Sequence, residues 1–167
     1  MTFHLSDNAY RTDTPEAKQA MFEDLRSLLK GIVEGEHDLI ANTANFSALV
    51  YNSMPDLNWA GFYLLKEDEL VLGPFQGKPA CIRIKRGRGV CGTALAEAST
   101  QLVPDVHAFP GHIACDAASR SELVVPVFAK GEVIGVFDLD SPLPNRFDQV
   151  DADGIQSLVK ILEATFA

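Results

Sequence analysis

The sequence predicts a single α+β domain with a largely antiparallel sheet flanked by helices, and three observations lead to this prediction. The chain of 167 residues is 47% hydrophobic, which is enough for one sizeable core but short for two. Helical patterns lie near both ends of the sequence, and the apolar runs between them are short and separated by turn residues. This order of elements is typical of helices layered on an antiparallel sheet.

Two helices are predicted before the first strand. The first begins after Thr14, which precedes a proline, and continues through the segment EAKQAMFEDLRSLLKGIV. The second covers about residues 38–52. The apolar residues that these two helices carry are Met21, Leu25, Leu28, Leu29, Leu39, Ile40, Phe46, Leu49 and Val50.

Three strands and a short helix are expected next. The segments NWAGFYLL and LVLGPF flank the turn KEDE, and ACIRI forms the third strand. In that strand Cys81 would share one face with Arg83, and the isoleucines on either side of Arg83 would lie on the other face. A glycine turn then leads into a helix that starts near Cys91.

The second half of the chain is predicted to contain a long loop, a hairpin and a final helix. The loop, residues 105–120, has two histidines, a proline and a glycine with little periodicity, and such long connections are usually functional. The hairpin is the segment ELVVPVFAKGEVIGVFDLD. Asp148 then caps a helix that carries Ile155, Leu158, Val159 and Leu162.

The loop of this hairpin decides where the side chain of Glu122 lies. A two-residue loop at Lys130 and Gly131 would pair Glu122 with Leu139, and it would force Lys130 into a positive φ. A three-residue loop that adds the preceding alanine, with Gly131 left-handed, suits these residues better. We therefore expect the three-residue loop, which sets Glu122 opposite Asp138.

Carboxylates are expected to converge on one face of the hairpin. Alternation places one set of second-strand residues together, namely Ile134, Val136, Asp138 and Asp140, and the other face receives Val133, Phe137 and Leu139. With Glu122 opposite Asp138, three carboxylates meet, and crowding raises the pKa of at least one of them. Such an acid suits proton transfer near neutral pH. The alternative is a strand end that runs into solvent.

Charge and the N-terminus limit the partners of the chain. A formal net charge of −9 and a pI near 4.8 argue against nucleic acid or an anionic membrane surface as partners. The one basic cluster, residues 83–88, is short and is best interpreted as a solvated turn. No segment resembles a secretory signal or approaches the ~20 apolar residues of a membrane span. We therefore expect a cytoplasmic protein whose three cysteines are reduced at rest.

Three segments taken together, GRGVCGTALAE, SELVVPVFAKGEVIGVFDLDSP and FDQVDADGIQSLVKIL, resemble a GAF domain. Further segments, NWAGFYLL, GPFQGKPACIRI, VCGTA, VPDVHAFPGHIACDAASRSE and FDLDSP, are similar to the free methionine-(R)-sulfoxide reductases, a family of stand-alone GAF proteins. We expect one GAF domain over residues 1–167, with residues 1–14 as an N-terminal extension. The resemblance implies cysteine-based reduction of free L-methionine (R)-sulfoxide without a cofactor, and regeneration by thioredoxin.

The resemblance also implies a role for each cysteine. Cys115 matches the attacking cysteine and Cys81 the chief resolving cysteine, and the two would form a disulfide. Judged from local sequence alone, Cys91 at a helix start is the better nucleophile, because the helix dipole favours a thiolate. The glycine turn and helix are general GAF features, however, so we retain Cys91 only as a second resolving thiol. His112 and Arg120 are near enough in sequence to stabilise a Cys115 thiolate.

A zinc site is the other interpretation of the cysteines. The ligands would be the three cysteines with His107 or His112. Structural zinc sites usually bring their ligands in close sequence pairs, and the chain has no C-x-x-C or H-x-x-x-H pair. We therefore expect no metal.

The expected substrate has an ammonium, a carboxylate and an S-methyl group, and each needs a partner. Glu122, Asp138 and Asp140 would bind the ammonium, with Glu122 and Asp140 also serving as acids. Backbone N–H groups of the loop near Cys115 would bind the carboxylate. The aromatic pair at positions 59 and 63 lies on one strand face and would hold the methyl group, unless it belongs to the core. The resemblance favours Trp59 over Tyr63 as a pocket wall.

A GAF module that senses a cyclic nucleotide or another small ligand is the alternative function. Such sensors are normally joined to an effector domain, and none fits in this chain. A phosphate would also meet two or three carboxylates, which is unfavourable. The fold is compatible with a homodimer, although no exposed apolar stripe predicts one.

Overall fold

The structure, a computed structural model, describes residues 10–113 and 115–166. Its sheet has six strands in the order β3-β2-β1-β6-β5-β4, and every neighbouring pair is antiparallel. The predicted α+β fold with an antiparallel sheet is therefore confirmed. The elements are α1 (Pro15–Ile32), α2 (Leu39–Ser53), β1 (Trp59–Lys66), β2 (Glu69–Gly77), β3 (Arg83–Lys85), α3 (Gly89–Glu97), β4 (Gln101–Val103), β5 (Ser121–Ala129), β6 (Glu132–Ser141) and α4 (Gln149–Glu163), with short 3₁₀ turns at Val106–Ala108 and Ala164–Phe166.

All four predicted helices form, and the two for which a capping residue was predicted begin directly after it. The Thr14 hydroxyl accepts a hydrogen bond from the Ala17 N–H, and Asp148 forms a capping box with Asp151. Ile40 was expected with the apolar residues of α2, but its side chain is 55% exposed. None of the helices in the described ranges is long and apolar enough to cross a membrane.

The two faces of the sheet carry unequal amounts of apolar packing. Helices α1, α2 and α4 cover one face and form the larger core with β1, β5 and β6. At its centre Phe46, Phe62 and Phe137 pack with ring centroids 4.7–5.3 Å apart. The other face has a smaller apolar cluster around α3, and this face also carries the carboxylates. The larger core therefore supports the fold and leaves the second face available for a polar pocket.

The third strand is shorter than the sequence predicts. Strand β3 begins at Arg83, so the alternation expected from Cys81 onward is wrong. Cys81 leaves the strand and is joined to Cys115 by a disulfide. Ile82 lies between Cys81 and the start of β3. Its carbonyl accepts a hydrogen bond from the Leu72 N–H at 2.9 Å, and the residue is 69% exposed.

The β5–β6 hairpin has the two-residue turn that we rejected. Lys130 and Gly131 both have positive φ, at +50° and +82°. Farther along, Ile134 is an extra residue that has no partner on β5. The extra residue shifts the pairing by one position, and Glu122 therefore lies opposite Asp140.

The expected pairing of Glu122 with Asp138 is therefore wrong, although both side chains still lie on the same face. The bulge also exchanges two side chains between the faces: Val133 packs with the smaller cluster and Ile134 with the larger core. Turn preferences do not indicate the extra residue inside β6. The sequence therefore predicts the correct face for the Glu122 side chain, although it pairs Glu122 with the wrong residue.

The strained turn suggests a stabilising substitution. A left-handed residue other than glycine costs roughly 1–2 kcal/mol, and asparagine tolerates this conformation better than lysine. We predict that Lys130→Asn raises the free energy of unfolding by about 0.5–1 kcal/mol, measured by urea denaturation. Lys130→Ala is the control, because alanine gains nothing in this conformation. Equal stability of the asparagine variant and the wild type would contradict the strain argument.

Candidate active site

Seven of the eight predicted site residues line one pocket on the smaller-core face of the sheet. They are Trp59, Tyr63, Cys91, Cys115, Glu122, Asp138 and Asp140. The eighth, Cys81, is bonded to Cys115 at the edge of this pocket. The sheet forms the floor, and the first turn of α3 and the loop of residues 105–120 form the walls. Other lining residues were not singled out from sequence: Lys78, Pro79, Ala80, Ile84, Arg88, Gly89, Val90, Ile113, Asp116 and Ser119.

Strand register brings an aromatic ring and the carboxylates together. Trp59 on β1 pairs with Asp140 on β6, and Asp140 pairs in turn with Glu122 on β5. Asp138 lies two residues along β6, opposite Gly61, where any side chain would collide with Phe75 and Trp59. The three carboxylates therefore converge on the pocket floor, as the sequence predicts for this face.

Burial raises the pKa of all three carboxylates. For Glu122 the repulsion from Asp138 and Asp140 adds to the effect of burial, and for Asp140 the charge of Asp138 does the same. Burial raises the pKa of Asp138 to about 7, even though hydrogen bonds from Cys91 and Glu122 oppose the rise. One oxygen of Asp138, Oδ1, is buried without a hydrogen-bond partner. The floor can therefore hold protons near neutral pH and offers an acceptor to a ligand.

Cys91 lies within this acidic cluster and differs from the expectation based on its helix. Its Sγ is 3.9 Å from Glu122 Oε1, and the side chain is buried. Burial, together with the charges of Asp138 and Glu122, raises its pKa well above the usual value. These effects outweigh the dipole of a nine-residue helix, so Cys91 is held as a neutral thiol.

Cys81 and Cys115 are joined by a disulfide with their Cα atoms 5.6 Å apart. This is the cysteine pair that the family resemblance implied, and the distance lies within the usual range for a disulfide. The expectation of three reduced cysteines does not describe this form of the protein. The Tyr63 hydroxyl donates a hydrogen bond to the Cys81 carbonyl at 3.0 Å, which ties the disulfide to β1.

The two aromatic residues on β1 form part of a stack. Trp59 lies between Tyr63, at 5.8 Å between ring centroids, and Phe75, at 5.2 Å. The indole N–H of Trp59 donates to the Lys78 carbonyl at 3.1 Å. Burial and the charge of Asp138 raise the pKa of Tyr63, so its hydroxyl stays protonated. Both rings line the pocket and also belong to the smaller core. The two interpretations given from sequence, pocket wall and core, therefore both describe them.

Of the two residues that sequence suggested near Cys115, one lines the same pocket and the other does not. His112 lines the pocket with Nε2 3.9 Å from Glu122 Oε2, and burial together with His107 lowers its pKa. Arg120 is exposed and does not line the pocket. Asn58, whose amide bonds two residues of the loop, was missed because no sequence motif marks it.

One group of described side chains has the composition of a metal site. Cys91, Glu122 and Asp138 each offer a ligand atom, and these atoms lie within 4.8 Å of one another. Only Cys91 is shared with the zinc set considered from sequence, because Cys81 and Cys115 are bonded to each other. The expectation that the protein uses no metal therefore stays a prediction.

Comparisons with known proteins agree on one family. A model of the GAF domain matches residues 45–166. The free methionine-R-sulfoxide reductase of Escherichia coli is 52% identical over 150 residues, which cover 90% of this chain and 91% of that protein. The structure of fRMsr of Staphylococcus aureus in its reduced form is 50% identical with a TM-score of 0.86, and the match covers 87% of this chain and 95% of that one.

A third comparison has a ligand. The X-ray structure of free methionine-R-sulfoxide reductase from Neisseria meningitidis in complex with its substrate is 43% identical to this chain, with a TM-score of 0.84. The match covers 96% of this chain and 95% of that one.

The raised pKa of Asp138 predicts a pH dependence of stability. A carboxyl whose folded pKa is near 7 binds more protons in the folded than in the unfolded state between about pH 4 and 7, so stability falls as pH rises through this window. In the wild type this carboxyl lowers the free energy of unfolding by up to about 1.4 kcal/mol per pH unit within the window, and we predict that Asp138→Asn abolishes this decrease. The measurement is urea unfolding of the disulfide form at pH 5, 6, 7 and 8.

The matched control is Asp153→Asn, since Asp153 is exposed on α4. The stability gain of Asp138→Asn over the wild type should grow from pH 5 to pH 7 and then level off. A gain that is the same at all four pH values would show that burial does not raise the pKa of Asp138.

Proposed function

The chain belongs to the GAF-domain family and, within it, to the free methionine-R-sulfoxide reductases. From this premise we propose that it is an enzyme that reduces free L-methionine (R)-sulfoxide to methionine. The observation that carries the proposal is the pocket itself, in which a cysteine pair able to form a disulfide lies beside three buried carboxylates. A pair of thiols and an acid are the groups that sulfoxide reduction requires.

The proposed reaction takes place in two steps on the enzyme. The Cys115 thiolate attacks the sulfoxide sulfur while the oxygen accepts one proton. The substrate S–O bond then breaks and the hydroxyl passes to the Cys115 sulfur, so the sulfoxide leaves as a thioether and Cys115 becomes a sulfenic acid. The Cys81 thiol then attacks the sulfenic sulfur, and water leaves as the disulfide forms. One sulfoxide and two thiols thus give one thioether, one disulfide and one water, and no further oxidant is required.

Regeneration requires an external dithiol, for which we propose thioredoxin. One thiolate of thioredoxin attacks the Cys81–Cys115 disulfide, and its second thiol resolves the mixed disulfide. The two electrons pass to the enzyme and leave an oxidised thioredoxin. Cys91 is placed as a secondary thiol only, because a neutral buried thiol is a poor nucleophile.

The carboxylates have two proposed tasks in this reaction. Glu122 and Asp140, whose pKa values are raised by burial and repulsion, supply the proton to the sulfoxide oxygen. Together with Asp138 they also attract the ammonium of the free amino acid, and the unpartnered Oδ1 of Asp138 is an available acceptor. An ammonium in this cluster would offset the repulsion among the carboxylates.

The remaining groups of the substrate have partners on the pocket walls. Trp59 and Tyr63 line the pocket with aromatic surface, and we assign the S-methyl group to this surface, with Trp59 as the main contact. The carboxylate is assigned to backbone N–H groups, from the loop near Cys115 and from Gly89 and Val90 in the first turn of α3. The loop of residues 105–120 would close over the bound amino acid.

A coupled assay tests the proposal. The enzyme is supplied with thioredoxin, thioredoxin reductase and NADPH, and with either epimer of free methionine sulfoxide. We expect NADPH consumption with the R epimer and little with the S epimer. Absence of methionine formation from the R epimer with both thioredoxin and dithiothreitol would overturn the proposal and favour a ligand-sensing GAF module. Homodimer formation and cytoplasmic location also remain predictions.

Substitution of single cysteines tests the assigned roles. We predict that Cys115→Ser abolishes reduction of free methionine sulfoxide, because the attacking thiolate is lost. Cys91→Ser should keep most of the thioredoxin-linked turnover, since Cys91 is a neutral thiol within the acidic cluster. The measurements are steady-state turnover and thiol loss in a single turnover. Thiol loss that persists in Cys115→Ser and vanishes in Cys91→Ser would reverse the assignment.

Acetylation of the substrate tests the ammonium site. N-acetylation removes the positive charge and thereby a charge-assisted contact worth roughly 1.5–3 kcal/mol. We predict that N-acetyl-methionine (R)-sulfoxide has a kcat/KM lower by at least about tenfold to a hundredfold. Asp140→Asn and Glu122→Gln should each lower turnover of the free amino acid and leave the circular dichroism spectrum unchanged. Comparable kcat/KM values for the two sulfoxides would show that the carboxylates do not recognise the ammonium.

A further inference from the structure

A hydrogen-bond network centred on Asn58 ties the loop that carries Cys115 to the sheet. The side-chain amide of Asn58 donates to Asp116 Oδ2 at 3.1 Å and to Ser119 Oγ at 3.1 Å. The backbone N–H of Asn58 donates to the Asp140 carbonyl at 3.0 Å. Asn58, the residue directly before β1, therefore connects strand β6 to the loop segment that immediately follows Cys115.

Both loop partners of Asn58 are themselves fixed. Asp116 accepts a hydrogen bond from the Ala118 N–H at 2.9 Å through its other carboxylate oxygen, and its carbonyl accepts one from the Ser119 N–H at 3.2 Å. The first of these bonds, with the Asn58 contact, lowers the pKa of Asp116, so its carboxylate is charged and a strong acceptor. Ser119 is buried and lines the pocket together with Asp140, so the Asn58 contact reaches the pocket floor.

The network acquires a specific task when the disulfide opens. In the disulfide form Cys115 is held covalently by Cys81. In the dithiol form, which must attack the sulfoxide, that bond is absent. The base of the loop keeps its backbone bonds, from Val106 to Arg120 and from Arg120 to Ser141. Among the described contacts, the side-chain bonds that hold the segment beside Cys115 to the sheet are those of Asn58.

We propose that Asn58 is a positioning residue that keeps Cys115 over the pocket while the disulfide is open. The proposal rests on the proposed function, because it concerns the form of the enzyme that attacks the substrate. Nucleophilic attack depends on placement of the reacting atoms, and a displacement of about 1 Å costs on the order of a hundredfold in rate. Loss of the Asn58 amide therefore lowers the rate of the first step and leaves reduction of the finished disulfide unchanged.

The first measurement follows methionine formation in a single turnover of pre-reduced enzyme at saturating free methionine (R)-sulfoxide. Asn58→Ala should lower this rate by about tenfold to a hundredfold. The rate at which dithiothreitol reduces the Cys81–Cys115 disulfide should equal that of the wild type. The matched control is Asn52→Ala, because the Asn52 amide donates to the Ala48 carbonyl on the exposed side of α2. A wild-type single-turnover rate in Asn58→Ala would overturn the proposal.

The second measurement does not require turnover. Hydrogen exchange of the backbone amides of residues 115–120 is compared in the reduced and disulfide forms. In reduced Asn58→Ala these amides should exchange at least tenfold faster than in the reduced wild type, with a smaller difference between the disulfide forms. Equal exchange in the two reduced proteins would refute the positioning role. If the proposed function is wrong, the wild type itself will show no turnover, and this outcome is distinguishable from failure of the positioning role, which concerns only the variants.

Asp116→Ala provides a second variant in case Asn58→Ala does not fold. Asp116 lies on the loop and is not part of either apolar core, so its removal leaves the core packing intact. It should lower the single-turnover rate and speed hydrogen exchange in the same direction as Asn58→Ala. Wild-type behaviour of Asp116→Ala in both measurements would also overturn the proposal.

Discussion

The site depends on one unpaired residue in a strand. The tight turn at Lys130 and Gly131 would by itself place Glu122 opposite Leu139, with its side chain in the larger core. Ile134 adds one residue to β6 and returns Glu122 to the pocket face. Because β1 pairs with the same strand beyond the bulge, the carboxylates and the aromatic stack then share one surface.

This arrangement costs stability, and the architecture offsets the cost elsewhere. Three buried carboxylates repel one another, and one oxygen of Asp138 lacks a hydrogen-bond partner. The opposite face of the sheet carries the three longer helices and the aromatic cluster of Phe46, Phe62 and Phe137. Placing most of the apolar burial on one face allows the other face to remain polar and strained, as functional sites often are.

Features set by local chemistry were predictable from sequence, whereas features set by distant contacts were not. Thr14 and Asp148 mark helix starts through hydrogen bonds within one turn, so both helices begin where expected. The bulge at Ile134 and the late start of β3 depend on pairing with other strands and on the disulfide. The network of Asn58 was invisible for the same reason, since its partners lie 58 and 61 residues away. The cysteine pairing was available only through the family resemblance.

The same electrostatics separates the proposed acid from the proposed nucleophile. A thiol needs a lowered pKa to attack, whereas a carboxyl needs a raised one to donate a proton at neutral pH. The pocket floor satisfies only the second requirement, because burial and crowded negative charge raise the pKa of every group there, including the Cys91 thiol. A nucleophile on the floor would stay protonated. Cys115, the proposed nucleophile, instead lies on a loop at the wall, and in the proposed mechanism its position would depend on contacts that hold the loop to the sheet, such as the Asn58–Asp116 bond.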